Sequence, residues 1–304
     1  MRIVFAGTPD FAAVSLKRLI NEGFDVVAVY TQPDRASGRN RQIVPSPVKQ
    51  LALEHNIAIE QPKNFKEQSE IEKFASYKAD IFIVAAYGLI LPTTLLEICP
   101  KNINIHASLL PKWRGAAPIQ YALMNGDNIT GICLMEIVKE LDAGPVISQA
   151  SIAIRPEHNL ASLSQDLSHL GAELLVTTLP KIEILWPARL QQLSEFKSYA
   201  PKITKADALI DWQQPATKIV NQIRALATWP KAYFIHNGNA IKIIDARVSE
   251  HKATAAAGTI TIRQNTIYIA SQDFEVVIEK LQFTNKKAMT AVEAICGFSE
   301  LLTH

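Results

Sequence analysis

The sequence predicts an α/β protein, a doubly wound and mostly parallel sheet followed by a small β-barrel of OB-like form. Three observations carry that prediction. Strand and helix signals alternate through roughly the first 180 residues, the pattern of βαβ units. The run Asp80 to Ala86 (Asp-Ile-Phe-Ile-Val-Ala-Ala) is continuously apolar, as expected of a strand covered on both faces. Beyond Lys205 the texture changes to short alternating runs joined by turn signals.

The elements follow in order. Arg2 to Ala6 is a short apolar strand, and Phe11 to Ile20 has helical spacing after the start signal Thr8-Pro9-Asp10. Asp25 to Thr31 is a β-branched strand, Gln32 to Ser46 a polar loop, and Pro47 opens a helix running through His55. Ile103 to His106 is the strand after Asp80–Ala86, and Leu160 to Leu179 forms a long helix. Trp186 to Lys205, with Pro187 and Pro201 and no clean period, reads as a linker. Gln214 to Ala227 is helical, and strands follow at Tyr233 onward, Gly258–Ile262, Thr266–Ala270 and Glu275–Leu281. His236-Asn237-Gly238-Asn239 between two of these runs is a hairpin signal. About five short strands and one helix favour a small OB-like barrel over a sandwich. The expected division is residues 1–185 as the larger domain, 186–206 as linker and 207–304 as barrel.

Composition narrows the class. A chain of 304 residues with 48% hydrophobic and 20% charged residues is an ordinary globular protein, long enough for two domains. Cys99, Cys133 and Cys296 are odd in number, far apart and without a CxxC, which fits a reducing cytoplasm and no disulfide framework. The first apolar run stops at Gly7 before Asp10, so no signal peptide is expected, and no apolar stretch is long enough for a membrane span. A formal charge of +2 predicts no strong bulk affinity for nucleic acid. The charge is unevenly placed, however. Arg35, Arg39, Arg41 and Lys49 stand against Asp34 alone between Thr31 and Gln50, and Arg189, Lys197, Lys202 and Lys205 against Glu195 alone between Pro187 and Lys205. Taken alone, two such segments are surface charge more often than a polyanion site.

Ligands of doubly wound sheets bind outside the carboxyl ends of the strands, where Gly7, Tyr87-Gly88 and His106-Ala107-Ser108 fall. Asn104 and His106 are two apart on a strand and share a face. An amide beside an imidazole at a strand end suits polarising a carbonyl and moving a proton. Of the seven histidines, only His106 stands beside other polar reactive residues at such an end. No second His or Cys lies at ligand spacing, so no metal site is expected. Phe5-Ala6-Gly7-Thr8-Pro9-Asp10 has one glycine where a dinucleotide fingerprint needs three, and Gly7 reads as a strand-to-helix turn. Ser108 lacks a nucleophile elbow and reads as ordering its loop. Asp142, in Glu140-Leu-Asp-Ala-Gly-Pro145, is a third candidate, which acts only if the fold brings it to His106. Trp113-Arg114 fits binding and structure equally.

At these residues the chain resembles the folate-dependent formyltransferases, and within them the methionyl-tRNA formyltransferase family. Asn102 to Gln120, with its Asn-x-His core and Ser-Leu-Leu-Pro loop, and the later Asp-x-Gly carry the wider likeness. Thr31-Gln-Pro-Asp-Arg35, Pro45-Ser-Pro-Val-Lys49, Arg114-Gly-Ala-Ala-Pro-Ile-Gln120, Ile210-Asp-Trp212, Trp229-Pro230 and Lys286-Lys-Ala-Met289 narrow it. The resemblance implies a Rossmann-like domain followed by an OB-like barrel. It implies Asn104, His106 and Asp142 as catalytic residues, and a folate site at Ser108, Leu109, Leu110 and Pro111 with Tyr87, Gly88 and Leu89. The loop with Arg35, Arg39 and Arg41, together with Lys49, is implied to contact tRNA, Arg39 foremost. The co-substrate implied is 10-formyltetrahydrofolate without a metal. The partner implied is methionyl initiator tRNA, met by a cytoplasmic monomer with no affinity for membrane or DNA.

Two departures stand out. Val138-Lys139-Glu140 replaces an acidic residue and a glycine before Asp142, which bears on how that turn is aimed. Ser271–Phe274 and Thr284-Asn285 stand where the family has glycines in barrel loops. The rival readings are a formyltransferase acting on glycinamide ribonucleotide or an amino sugar, and a catalytically silent RNA-binding protein.

Overall fold

The computed structural model describes residues 1–37 and 42–303, and of 35–37, 42, 43 and 303 the backbone only. Arg39 and Arg41 therefore lie outside the described residues. The chain divides into two compact units: Met1–Gly115, Thr130–Ile152 and Ser164–Tyr199 form one, and Ala116–Ile129, Ala153–Leu163 and Ala200–His304 the other.

Up to residue 185 the chain runs β1 (Arg2–Gly7), α1 (Asp10–Asn21), β2 (Asp25–Tyr30), β3 (Arg35–Ser37), β4 (Gln42–Val44), α2 (Pro47–Glu54) and β5 (Ala58–Glu60). It continues through α3 (Gln68–Ser76), β6 (Ile81–Ala85), α4 (Thr93–Leu96), β7 (Lys101–His106), α5 (Pro118–Asn125), β8 (Ile129–Glu136), β9 (Val146–Ala153), α6 (Leu160–Thr178) and α7 (Ile182–Leu185). Seven strands make one sheet in the order β5-β2-β1-β6-β7-β8-β9. Strands β5, β2, β1, β6 and β7 are mutually parallel, and β8 runs antiparallel to β7. The mostly parallel α/β sheet expected from the alternation is thus present. Register places Gly7 beside Ala85 and Asn104 beside Val84, so β1, β6 and β7 all deliver their carboxyl ends to one edge.

Local chemistry explains the boundaries. The Ser46 hydroxyl accepts the Lys49 N–H at 3.1 Å and Pro47 occupies the first helical position, which starts α2. Gly7 is required by packing, since a Cβ there would lie 2.5 Å from the Ala12 Cβ and 2.9 Å from the Ala85 carbonyl oxygen. The polar loop expected over 32–46 instead contains the hairpin β3–β4, paired from Arg35↔Val44 to Ser37↔Gln42. Strands of three residues are too short to show a period in sequence. Behind the sheet, Tyr30, Phe65, Phe74, Phe82 and Tyr87 share one apolar cluster, with the Phe74 and Phe82 rings edge-to-face at 4.9 Å. Phe82→Ala is expected to cost about 3–5 kcal/mol in chemical denaturation, as for other buried aromatics. A loss below about 1 kcal/mol would show that the site collapses around the missing ring.

The second unit carries α8 (Ala216–Ala225), β10 (Tyr233–His236), β11 (Asn239–Lys252), β12 (Ile260–Arg263), β13 (Thr266–Ala270), β14 (Phe274–Phe283), β15 (Met289–Thr290), α9 (Ala291–Phe298) and α10 (Glu300–Thr303). Its antiparallel sheet has the order β10-β11-β14-β13-β12, with β15 added on β14. The sheet wraps an apolar cluster that includes Ile219, Ile223, Phe234, Ile243, Ile269, Val276 and Ile278. Asn237 (φ 47°) and Gly238 (φ 75°) make the expected hairpin turn. Gln264 and Asn265, also at positive φ, make a second that sequence reading missed. The departures near the last strands keep their turns by side-chain bonding. Asp273 accepts the N–H of Ala216 and of Phe274, each at 2.8 Å, while the Ser271 hydroxyl donates to the Phe274 carbonyl at 2.6 Å. The bond from Ala216 N–H, foremost, holds the Asp273 carboxyl below its ordinary range. One aspartate thereby starts α8 and closes a strand turn.

Candidate active site

The site grows from the alternation along β7. Ile103 and Ile105 point into the core, which turns Asn102, Asn104 and His106 to the opposite face. Asn102 is spent on structure, donating to the Leu96 carbonyl at 2.8 Å and the Cys99 carbonyl at 3.2 Å. Asn104 and His106 remain at the strand's end, where a loop carries the chain to Gly115.

That loop is shaped from within. The Ser108 hydroxyl donates to the Lys112 carbonyl at 2.5 Å, the ordering role expected for it. Leu110 packs with Cys133, Met135 and Val146, and its N–H donates to the Cys133 Sγ at 3.3 Å. Cys133 on β8 is the register partner of His106, and burial raises its thiol to about 11, so it stays neutral. Trp113 adopts φ 62°, its N–H donating to the Ser198 Oγ at 2.9 Å, and its carbonyl oxygen lies 3.0 Å from His106 Nε2.

Asp142 joins them from 38 residues past Asn104. One carboxylate oxygen lies 3.4 Å from Asn104 Nδ2; the other accepts the Gly115 N–H at 2.9 Å and lies 3.7 Å from His106 Nδ1. The side chains of His106 and Asp142 are only 5% and 13% exposed, so water screens their interaction little. The three candidates thus meet at one place. The 3.7 Å separation exceeds a hydrogen bond, as such pairs often do before substrate arrives.

Glu140, the departure that bore on this turn, points away from the carboxylate. It pairs with Arg114 Nη1 at 3.3 Å, 68% exposed against 5% for Arg114. Arg114 has a second tie, donating from Nε to the Gln192 side-chain oxygen at 2.9 Å. Its guanidinium is therefore a brace between this loop, Gln192 and Glu140. Gln192 came from the stretch read as linker and carries no sequence signal. Up to Tyr199 that stretch belongs to the first unit, with Leu190 and Val146 exchanging both backbone bonds at 2.8 Å, and from Ala200 it belongs to the second.

The remaining candidates are placed as follows. Tyr87 turns its ring into the core beside Phe65, and its carbonyl accepts from the Thr8 hydroxyl at 3.3 Å and Gln32 Nε2 at 3.1 Å. Gly88 is exposed at φ 80°, Leu89 packs on the same core, and Ile90 is 92% exposed. Leu109 and Pro111 are half-buried in their loop. Lys49 turns inward, its ammonium 2.5 Å from Asp34 and 2.7 Å from the Gln61 side-chain oxygen. The hydrogen bond from Lys49 holds the Asp34 carboxyl below its ordinary range. Arg35 is described only as backbone, in β3. Among the described residues no group of three His, Cys, Asp or Glu could hold a metal, and no helix is long and apolar enough to cross a membrane.

Residues 1–179 match the formyl transferase family and residues 202–299 match the formyl transferase C-terminal domain. A methionyl-tRNA formyltransferase of Nitratidesulfovibrio vulgaris is 42% identical over 98% of this chain and 93% of its own length. One from Sulfurihydrogenibium is 43% identical over 98% of this chain and 97% of its own. Among solved structures, an N-formyltransferase of Helicobacter canadensis in complex with folinic acid and dTDP-3-aminofucose superposes with a TM-score of 0.68 at 19% identity, covering 93% of this chain and 99% of that one. HypX of Aquifex aeolicus in complex with tetrahydrofolic acid superposes at 0.64 and 19% identity, covering 100% of this chain and 48% of that one. At these identities the two structures speak for the fold alone.

Proposed function

The chain belongs to the formyl transferase family, and from that premise we propose that it moves the formyl group of 10-formyltetrahydrofolate to the α-amine of methionine on charged initiator tRNA. The observation that carries the reading is the convergence of Asn104, His106 and Asp142 at the end of β7. Two relatives that match nearly the full chain, the methionyl-tRNA formyltransferases of Nitratidesulfovibrio vulgaris and Sulfurihydrogenibium, support the acceptor over glycinamide ribonucleotide or an amino sugar.

The donor set fits a formyl carbonyl: one neutral amide, one imidazole, one carboxylate and no metal-binding cluster among the described residues. The folate would supply an activated formyl carbon, and the protein's own groups do the rest. An α-amine has a pKa near ~8 and reaches the site largely protonated at neutral pH. With Nε2–H donating to the Trp113 carbonyl, Nδ1 is the lone-pair atom of His106 and takes the amine's proton. The cation so formed finds an acceptor at each nitrogen, Trp113 at Nε2 and Asp142 at Nδ1. Asn104 turns one amide N–H toward Asp142 and has a second for the charge that gathers on the carbonyl oxygen. A donor of this kind is worth about 3–4 kcal/mol of barrier. The freed amine adds to the formyl carbon, and His106 returns its proton to the folate nitrogen as the bond from that nitrogen to the carbon breaks. The second proton of the former ammonium passes to the vacated imidazole and on to water.

We assign this chemistry to residues 1–185 and tRNA binding to the antiparallel sheet of 207–304, joined by 186–206, with Arg35, Arg39 and Arg41 as further tRNA contacts and Lys49, tied to Asp34 and Gln61, ordering the base of their loop. Folate contacts are assigned to Ser108–Pro111 and the backbone of Tyr87–Leu89. The protein works as a cytoplasmic monomer on this reading. The test is transfer of labelled formyl to charged initiator tRNA, uncharged tRNA and glycinamide ribonucleotide, with Arg39→Ala alongside the wild type. Charged initiator tRNA alone is expected to be labelled. Arg39→Ala is expected to raise KM for it, and the difference should shrink as salt rises. Labelling of glycinamide ribonucleotide would sink the assignment of the acceptor, and an unchanged Arg39→Ala would sink that of the loop.

A further inference from the structure

We infer that Gln192 is a positioning residue of this site, holding Asp142 against His106 through the backbone of the turn; the inference rests on the reading above. The Gln192 amide nitrogen donates to two carbonyls, that of Asp142 at 2.9 Å and that of Gly144 at 2.7 Å. It therefore pins the turn on both sides of Ala143. The amide oxygen accepts Arg114 Nε at 2.9 Å. Each polar atom of the amide is used, and each bond runs to one of the two segments that frame the imidazole. Gly115, next to Arg114, supplies the N–H that holds the Asp142 carboxylate. One half-buried side chain thus locks the Asp142 turn to the loop that carries Trp113 to Gly115.

The turn needs such a lock. Asp142 sits at φ 49°, a conformation that non-glycine residues seldom hold unaided. Leu141, next to it, is 65% exposed and packs little of the turn, while the Asp142 side chain is 13% exposed and held by hydrogen bonds. Hydrogen bonding rather than packing fixes where the carboxylate lies. A glutamine, and no charged residue, meets the requirement: donors for two carbonyls and an acceptor for a guanidinium on one planar group.

Three variants separate this role from general support. Gln192→Met keeps length and loses all three bonds. It is expected to lower kcat roughly 10- to 100-fold, the scale of an ångström-level misplacement, with KM for folate nearly unchanged. Gln192→Glu keeps the oxygen for Arg114 but sets a carboxylate oxygen against two carbonyls, and is expected to lose at least as much. In an Asp142→Asn background Gln192→Met should cost no more than about twofold, because residues acting as a unit are not additive. Imidazole nitrogen NMR of the free enzyme gives a readout independent of any acceptor. The His106 signals of Gln192→Met are expected to move in the direction seen for Asp142→Asn. Unmoved His106 signals, a full-strength Gln192→Glu, or an equal loss in both backgrounds would each overturn the inference. A wild type that fails to formylate charged tRNA overturns the functional reading alone, since the NMR comparison stands without it.

Discussion

Replacing His106 by alanine is expected to lower turnover about a thousandfold or more while the protein stays folded. The imidazole is assigned two tasks, taking the amine's proton at Nδ1 and returning one to the departing nitrogen. General acid–base catalysis is worth about 10²–10⁴ in rate. The Cys133 thiol on the neighbouring strand cannot take over, since burial pushes it up to about 11 and it stays neutral. Folding should survive, because His106 contributes one bond to the Trp113 carbonyl and a carboxylate beyond hydrogen-bonding distance. The measurement is single-turnover formyl transfer beside a circular dichroism melt. A folded His106→Ala with near-normal turnover would remove the residue from the mechanism.

Gly144→Ala is expected to cost about 10²-fold or more in kcat, although Gly144 holds no reacting group. A Cβ at Gly144 would lie 1.9 Å from the Glu136 carbonyl oxygen and 2.9 Å from its carbon. That neighbour is the backbone at the end of β8 and cannot swing aside as a side chain would. The turn must shift instead, and Asp142 and the carbonyl that binds Gln192 shift with it. Displacing a catalytic group by about 1 Å is enough for a 10²-fold loss. Overpacking of this kind also costs about 1–3 kcal/mol, a fall of a few degrees in Tm. Steady-state kinetics with a melt would decide it, and an alanine variant with native kcat would show that the turn does not set the position of Asp142.

How much of this was legible beforehand follows from how far each feature reaches along the chain. The strand ending in His106 and the shared face of Asn104 and His106 depend on a period of two, which a few residues display. The starts of α1 and α2 and the hairpin at Asn237-Gly238 depend on turn chemistry within four residues. The hairpin β3–β4 and the turn at Gln264-Asn265 escaped because three-residue strands carry no period and that pair is not a usual turn signal. Glu140 looked, in sequence, like a disturbance of the Asp142 turn; its bond to Arg114 makes it part of the brace. The polar residues near Asp273 looked like lost glycines and prove to be a capping turn.

By itself the sequence determined the class of the fold, the place of the amide–imidazole pair at a strand end and, through its motifs, the family. Each of these is written in short spacings, because backbone period and turn propensity act between near neighbours. Only the tertiary structure decided that Asp142, 38 residues beyond Asn104, stands beside His106, and that Gln192, another 50 residues on, holds it there. Those contacts depend on how β7, β8 and the segment after α7 come together in space. A hydrogen bond across such a distance leaves no periodic trace in the residues between.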